Sequence, residues 1–599
     1  ERQGVPWCPA IGDDQRLVGA AACWDSFCPS SPLRIGGTGW GDCVLVLDEW
    51  HGAIEHLLLS NGTALAKRRA EVLRTTSALL RSAVQVIAAN AQMPLFAVEL
   101  LERLTGRRVL VLGSDSQPMK GRRVQIPAGF KSPDKAAEAF RCKWSALVDR
   151  VEPFLCWTSS QKAGMRNSAQ TLAKAHRERV PGARVLVIDS ENGEAAADLA
   201  ADPDEYAKQW DAIYSTPSID SGISLQRWKP AAVIAYCGGL VTPERVVQAV
   251  ARVRNPEVPV FIYTAERCPG GALRVGSGAT KPAQLIAHLR AVAGPLFGHL
   301  EAGDDEGAWL HAWAEIGAIR NRQRFAYRAT IAGMLEAEGW ELQAPEPAPD
   351  RAVVAAVTAE LTAVADAARL AADLALLNAA PSSDGEASEL AKRTRLEPEE
   401  RLQLERHRLA KRWALGSDRP TLELLEADRD GLSQRLRLGW LLVTPEAHQQ
   451  LPERDRQRIT ALDALGRPFE PDRLRVSYGQ QVLGLQALGV PQLLERFAAG
   501  ETLAATDPAV LGLHHNATTH QHQLTMAAGV TPGKLATGTL RNVLNAVAWN
   551  LERAGRIKTR NGERDVLKYR AEPVRLPACV DAPTLAAAWR VDLGLAPTG

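Results

Sequence analysis

The 599-residue sequence has almost no net charge, since 71 lysines and arginines stand against 69 aspartates and glutamates. Any affinity for nucleic acid must therefore come from local patches, not from a global field. Paired zinc spacings are also missing. The nine cysteines are scattered, and Cys23 and Cys28 have no second pair nearby, which points to reduced thiols in a cytoplasm. No signal peptide or membrane span is expected from the sequence. The longest apolar-looking stretch, 352–380, contains Glu360, Asp366, Arg369 and Asp373 and reads as an alanine-rich helix. An initiator methionine is lacking as well: the chain begins ERQGVPW, as a fragment would. The phosphate-cradling pattern G-x-x-x-x-G-K-S/T is absent from all 599 residues; TPGKLATG at 531–538 does not match it.

What is present is an ordinary balance of 46% apolar and 23% charged residues, on a chain long enough for three or four cores. Residues 41–300 alternate helical stretches with short β-rich runs. The runs are Val44 to Leu47, Val84 to Ala88, Val109 to Leu112, Phe154 to Trp157, Val185 to Ile188, Ala212 to Tyr214, Val233 to Tyr236 and Val260 to Tyr263. Continuous apolar runs of this kind predict parallel sheets covered on both faces, hence two α/β units meeting near 150. Residues 298–416 turn helical, with Trp309, Trp313, Ile316 and Ile319 on one face. Between 392 and 412, eight basic residues against four acidic ones form either a solvated helix face or a nucleic-acid patch. Residues 417–599 form a separate region. There, Leu540, Val543, Leu544, Val547 and Leu551 sit at helical spacing before Gly555, and Asn561-Gly562 suits a tight hairpin turn. This is the outline of a winged helix over about 530–575. Its basic residues, among them Arg556, Lys558 and Arg560, are candidates for DNA contact, although winged helices also dock proteins.

Two stretches carry chemistry. CVLVLDE places Asp48 and Glu49 at the end of a predicted strand, where α/β proteins that handle phosphates keep their reactive groups. One carboxylate would orient Mg²⁺ and the other would polarise a water; the plainer reading is a helix cap. VTPERVVQAVARVR starts a helix at Thr242 and Pro243 and puts Arg245, Gln248 and Arg252 on one face, with Arg254 pointing elsewhere. A guanidinium reaching phosphates from a second unit is an arginine finger; ordinary surface arginines are the alternative. Between them, DAIYSTPSIDSGISL is either a contact loop or a plain turn. His514, His515, His520 and His522 lack acidic or cysteine partners and read as a polar loop or helix start.

Taken together, these residues resemble superfamily 2 helicases. Asp48-Glu49-Trp50-His51 resembles the DExH box, WTSSQ the start of the second motor domain, TPSIDSGISL the fifth motif and QAVARVR the sixth. CWDSF, IEHLLLSNGT and WAEIGAIRNRQRFAYR are similar to the helicase-type plasmid replication proteins of cyanobacteria, distant relatives of herpesvirus origin-binding helicases. The resemblance, over roughly 20–420, implies two RecA-like lobes, the first truncated at its amino terminus (1–150 and 151–297), then a helical domain (298–416) and a winged-helix-like region (417–599). It implies an ATP- and Mg²⁺-dependent DNA motor of plasmid replication, with other replication proteins as partners. Asp48 would hold the metal, Glu49 activate water, Gln248 sense nucleotide and Arg252 act as the finger, with Arg254 as its substitute. Gly222 would approach the nucleotide, and Ser26, Thr158, Ser159, Ser218 and Ser221 the DNA backbone. The sequence departs from the pattern in the missing phosphate loop, in Asn90 and Gln92 where acids are usual, and in the two-residue spacing of Arg252 and Arg254. A non-hydrolysing, origin-binding scaffold is the rival reading. A metal nuclease, using only Asp48 and Glu49, is a third.

Overall fold

A strand buried on both faces needs apolar side chains at every position, and the central strands of this chain have them. The structure is a computed structural model. It describes residues 8–11, 17–27, 43–60, 65, 68–160, 164–189, 192–217, 223–269, 271–293, 304–346, 349–393, 396–416, 419–464, 477–521, 529–557 and 566–596. These fall into two units, one within 1–372 and the other within 373–599.

The first unit contains strands β1 (Cys8–Ile11), β2 (Leu17–Ala21), β3 (Val44–Leu47), β4 (Gln85–Ala88), β5 (Arg123–Gln125), β6 (Phe154–Thr158), β7 (Val185–Ile188), β8 (Ala212–Ser215), β9 (Ala232–Cys237), β10 (Val260–Thr264) and β11 (Glu341–Leu342). Seven of them form one parallel sheet in the order β11-β5-β10-β9-β6-β8-β7. Side chains alternate between its faces. Leu155, Trp157, Val233, Ala235, Val260 and Ile262 pack with the helices Pro243–Val250 and Tyr327–Ala337. Phe154, Cys156, Tyr214, Ile234 and Phe261 pack with the helices Pro133–Arg150 and Ala169–Arg179.

The sheet crosses the boundaries expected at 150 and 297, because its edge is built from β5 and β11. Arg122 fixes that edge. It is fully buried, donates to the carbonyls of Val258 and Val253, and lies 4.6 Å from the Trp340 ring centroid. Burial, helped by the charge of Arg254, pulls its pKa down to about 10.

β3 and β4 pair in parallel as a separate two-stranded layer. The expectation of a wholly buried run fails here: Leu47 is buried, but Val44 and Val46 are exposed. Two strands cannot bury both of their faces on each other. The apolar cover of this part lies instead among the helices Trp50–Leu59, Arg69–Ser82, Leu95–Thr105 and Asp304–Phe325, with Trp50, Ile54, Leu57, Val72, Leu80, Leu104 and Trp309 buried. The run Val109 to Leu112 is not a strand; among the described residues it has no ladder partner, and Leu110 and Leu112 are more than four-fifths exposed.

The second unit is mainly helical and carries an antiparallel sheet, β12 (Leu503–Ala504), β14 (Val566–Pro573) and β13 (Trp549–Ile557), in the spatial order β12-β14-β13. The helix Ala536–Ala546 ends earlier than its spacing suggests. Leu551 and Gly555 belong to β13, where pairing with β14 overrides the helical pattern and a bulge falls between Arg553 and Gly555. The Asn561-Gly562 turn lies outside the described residues. No helix among the described residues is long and apolar enough to cross a membrane.

Candidate functional site

The acidic pair stands at the carboxyl tip of β3. Trp50 N–H donates to the Ala89 carbonyl (3.0 Å) and Ala89 N–H to that of Leu47 (2.9 Å), so the turns after β3 and β4 are tied together. Asn90 adds to this by accepting from His51 N–H at 3.1 Å. Glu49 precedes the helix in a left-handed conformation, φ 49° and ψ 53°, and its side chain makes no cap bond. A non-glycine residue there is held against a cost of about 1 kcal/mol. Both Asp48 and Glu49 are exposed, while Trp50 is fully buried and donates to the Ala97 carbonyl at 3.1 Å.

A cleft of ≈ 390 Å³ opens beside this turn. One wall carries Asp48, Glu49, His51 and Glu55; the other is the helix Pro243–Val250, contributing Thr242, Glu244, Arg245 and Gln248. Glu55 is partly buried. Burial alone would raise its carboxyl, but the Arg320 guanidinium at 3.1 Å, with His51 and Arg245 behind it, holds it below the ordinary carboxylate range. Across the cleft, burial raises Glu338, opposed by the Trp340 N–H and the charge of Arg254. Thr242 is 2% exposed, caps no helix amide, and its hydroxyl has no hydrogen-bond partner.

The expected residues separate into groups. Asp48, Glu49 and Gln248 line the cleft together. Arg252 is not among its lining residues: the helix ends at Val250, so the predicted shared face of Arg245, Gln248 and Arg252 does not form. Beyond the helix the backbone pairs with the segment around Leu225, and the Arg252 guanidinium donates to the Ile223 carbonyl at 3.2 Å. Arg254 is exposed and approaches the Ser224 hydroxyl at 3.4 Å. Thr158 is fully buried and donates to the Ser160 carbonyl at 2.7 Å, which removes it from any exposed contact surface. The Ser159 hydroxyl accepts from Gly238 N–H at 3.1 Å. Arg556 is exposed on β13. Ser218, Ser221, Gly222, Lys558 and Arg560, and the Ser26 side chain, lie outside the described residues.

Sequence reasoning assigned no site role to Arg245, Glu55 or Glu244, and gave Thr242 only that of an N-cap, whose side-chain bond the structure lacks. The first had a usable signal, being three residues from Gln248 on one helical face; the partnership of Glu55 with Arg320 had none. His514 bonds the Thr539 hydroxyl at 2.8 Å, and among the described residues no cluster of three histidine, cysteine or acidic side chains is placed to hold a metal.

No family profile matches the chain. An uncharacterized protein of Picosynechococcus sp. is 25% identical over 501 residues, covering 80% of this chain and 48% of the relative. The chain thus spans about half the length of the curated relative it matches. Among solved structures, a variant of S. cerevisiae Dbp5 bound to RNA and ADP BeF3 is similar at 15% identity, covering 37% of this chain and 53% of that one, with a TM-score of 0.25.

Proposed function

We propose that the chain belongs to an ATP-dependent DNA helicase or translocase of plasmid replication, with two RecA-like lobes meeting at the cleft beside Asp48 and Glu49. One observation carries the reading: an acidic pair at the tip of a parallel strand shares a cleft with Arg245 and Gln248 of a separate helix. The residues fit the reacting end of a nucleotide. Asp48 would hold Mg²⁺, and Arg245 and Gln248 would meet phosphate oxygens. Bound Mg²⁺–ATP would supply an activated terminal phosphoryl group. Glu49 would take a proton from water, and Arg245 would place positive charge opposite the acids. Arg252, the finger by resemblance, would first have to release the Ile223 carbonyl. DNA would be met by residues 218–222 and by the basic side chains of β13 and β14, in a cytoplasmic setting with other replication proteins.

A non-hydrolysing, origin-binding scaffold is the second reading, favoured by the absence of the G-x-x-x-x-G-K-S/T pattern from these 599 residues. ATP hydrolysis by the product of the complete reading frame, with and without DNA, decides between them. The motor reading expects DNA-stimulated turnover that falls at least about 100-fold in Glu49→Gln. Absence of turnover in the unaltered protein overturns it in favour of the scaffold.

A further inference from the structure

The helix Asp304–Phe325 is buried on several sides, as Leu310, Ala312, Trp313, Ala314, Ile316 and Ala318 show. Such a helix is enclosed by neighbours and does not lie on a surface. Its first half joins the β3–β4 part: Trp309 Nε1 donates to the Ser77 hydroxyl at 2.9 Å, and Asp305 pairs with Arg81. Its last turns join the large-sheet part, where Asn321 exchanges hydrogen bonds with both backbone groups of Val275 at 3.0 Å. Arg320 and Gln323, three residues apart, each hold a cleft acid, and the two acids lie on opposite walls. Arg320 Nε donates to Glu55 at 3.1 Å, on the helix that follows the Asp48–Glu49 tip; Gln323 Nε2 donates to Glu244, next to Arg245.

We propose that this helix ties the two walls of the cleft together and that Arg320 and Gln323 are positioning residues, coupling the acidic turn to the helix of Arg245 and Gln248. The tie is a property of the fold; its consequence for turnover rests on the proposed nucleotide site. Movement of either wall is transmitted to the other through a single rigid element.

Hydrogen exchange in the full protein tests the tie without nucleotide. Arg320→Ala and Gln323→Ala should each speed exchange in both 50–59 and 243–250, by about fivefold or more, while β6 stays protected. Arg320→Lys should restore most of the protection, and Glu55→Gln, which keeps its shape, should act like a weaker Arg320→Ala. Acceleration confined to the wall that lost its bond, or none in either, overturns the proposal. If Arg320→Ala also exposes β6, the Gln323→Ala, Arg320→Lys and Glu55→Gln variants decide the matter by the same criterion. Where the protein hydrolyses ATP, the alanine variants should lower kcat about tenfold with KM within about threefold. Absence of hydrolysis in the unaltered protein would count against the proposed function, and the exchange result would still decide the tie.

Discussion

Arg245 and Arg252 lie seven residues apart, and the structure puts them in different surroundings. Arg245 lines the cleft together with the acids, whereas Arg252 donates to the Ile223 carbonyl from beyond the end of the helix. If the cleft turns over ATP, Arg245→Ala should reduce kcat on the order of 10²-fold, as loss of a charge-stabilising group does. Arg252→Ala should show first as lost stability, about 1 kcal/mol for one hydrogen bond. Steady-state kinetics and thermal melts on the same variants separate the two roles. Thr242 offers a sharper case. A threonine at an N-cap is ordinarily worth about 1 kcal/mol through its side-chain bond, but here that bond is not made. Thr242→Val should therefore leave the melting temperature unchanged or slightly raised, since it removes a buried hydroxyl without a partner. A melt lowered as if a cap had been lost would show that the hydroxyl caps the helix after all.

At the scale of elements, the strands of the large sheet were legible because full burial on both faces demands unbroken apolar runs, and β6 to β10 supply them. The acidic pair was legible for the complementary reason, as charge following directly on such a run. β5 and the edge strand β11 were not, because strands of three and two residues are too short to leave a pattern in composition. The same apolar logic misread Val109 to Leu112, where no neighbour is present among the described residues. Helix ends were also lost: Val250 and Ala546 stop their helices because the chain that follows finds extended partners, which periodicity cannot register. The link between Glu55 and Arg320 spans 265 residues and exists only through packing of the helix Asp304–Phe325. Gly317 on that helix marks how close the packing is. Alanine is normally the better helix residue by about 1 kcal/mol. A Cβ here, however, would fall 2.8 Å from Val275 Cγ1 and 3.1 Å from Leu285 Cδ1. Gly317→Ala should consequently destabilise the protein by about 1–3 kcal/mol in urea titration, against the helix-propensity trend.

For the whole molecule, the stability of the large-sheet part should depend on pH through one buried histidine. His176 is 3% exposed, stacked on Phe154, with Nδ1 3.0 Å from the Tyr214 hydroxyl, which also accepts from Trp144 Nε1 at 2.7 Å. Burial pulls its pKa down to about 4; Asp211 opposes this, while Arg177 and Arg179 reinforce it. An unfolded chain binds a proton at this residue from about pH 6.5 downward, whereas the folded protein resists it until about pH 4. Between those values the unfolded state holds more protons, so stability is fully present above about pH 6.5 and is lost as pH falls through the window. The neighbouring Asp211, held below the ordinary range chiefly by its hydrogen bond with Arg184, loses its contribution only at lower pH and does not blur the upper half of the window. His176→Gln keeps a polar end near Tyr214 and cannot titrate. Thermal melts from pH 7 to pH 5 should show a falling midpoint in the unaltered protein and a flatter one in the variant. Parallel slopes would mean that the proton uptake lies elsewhere and that His176 is charged within the fold.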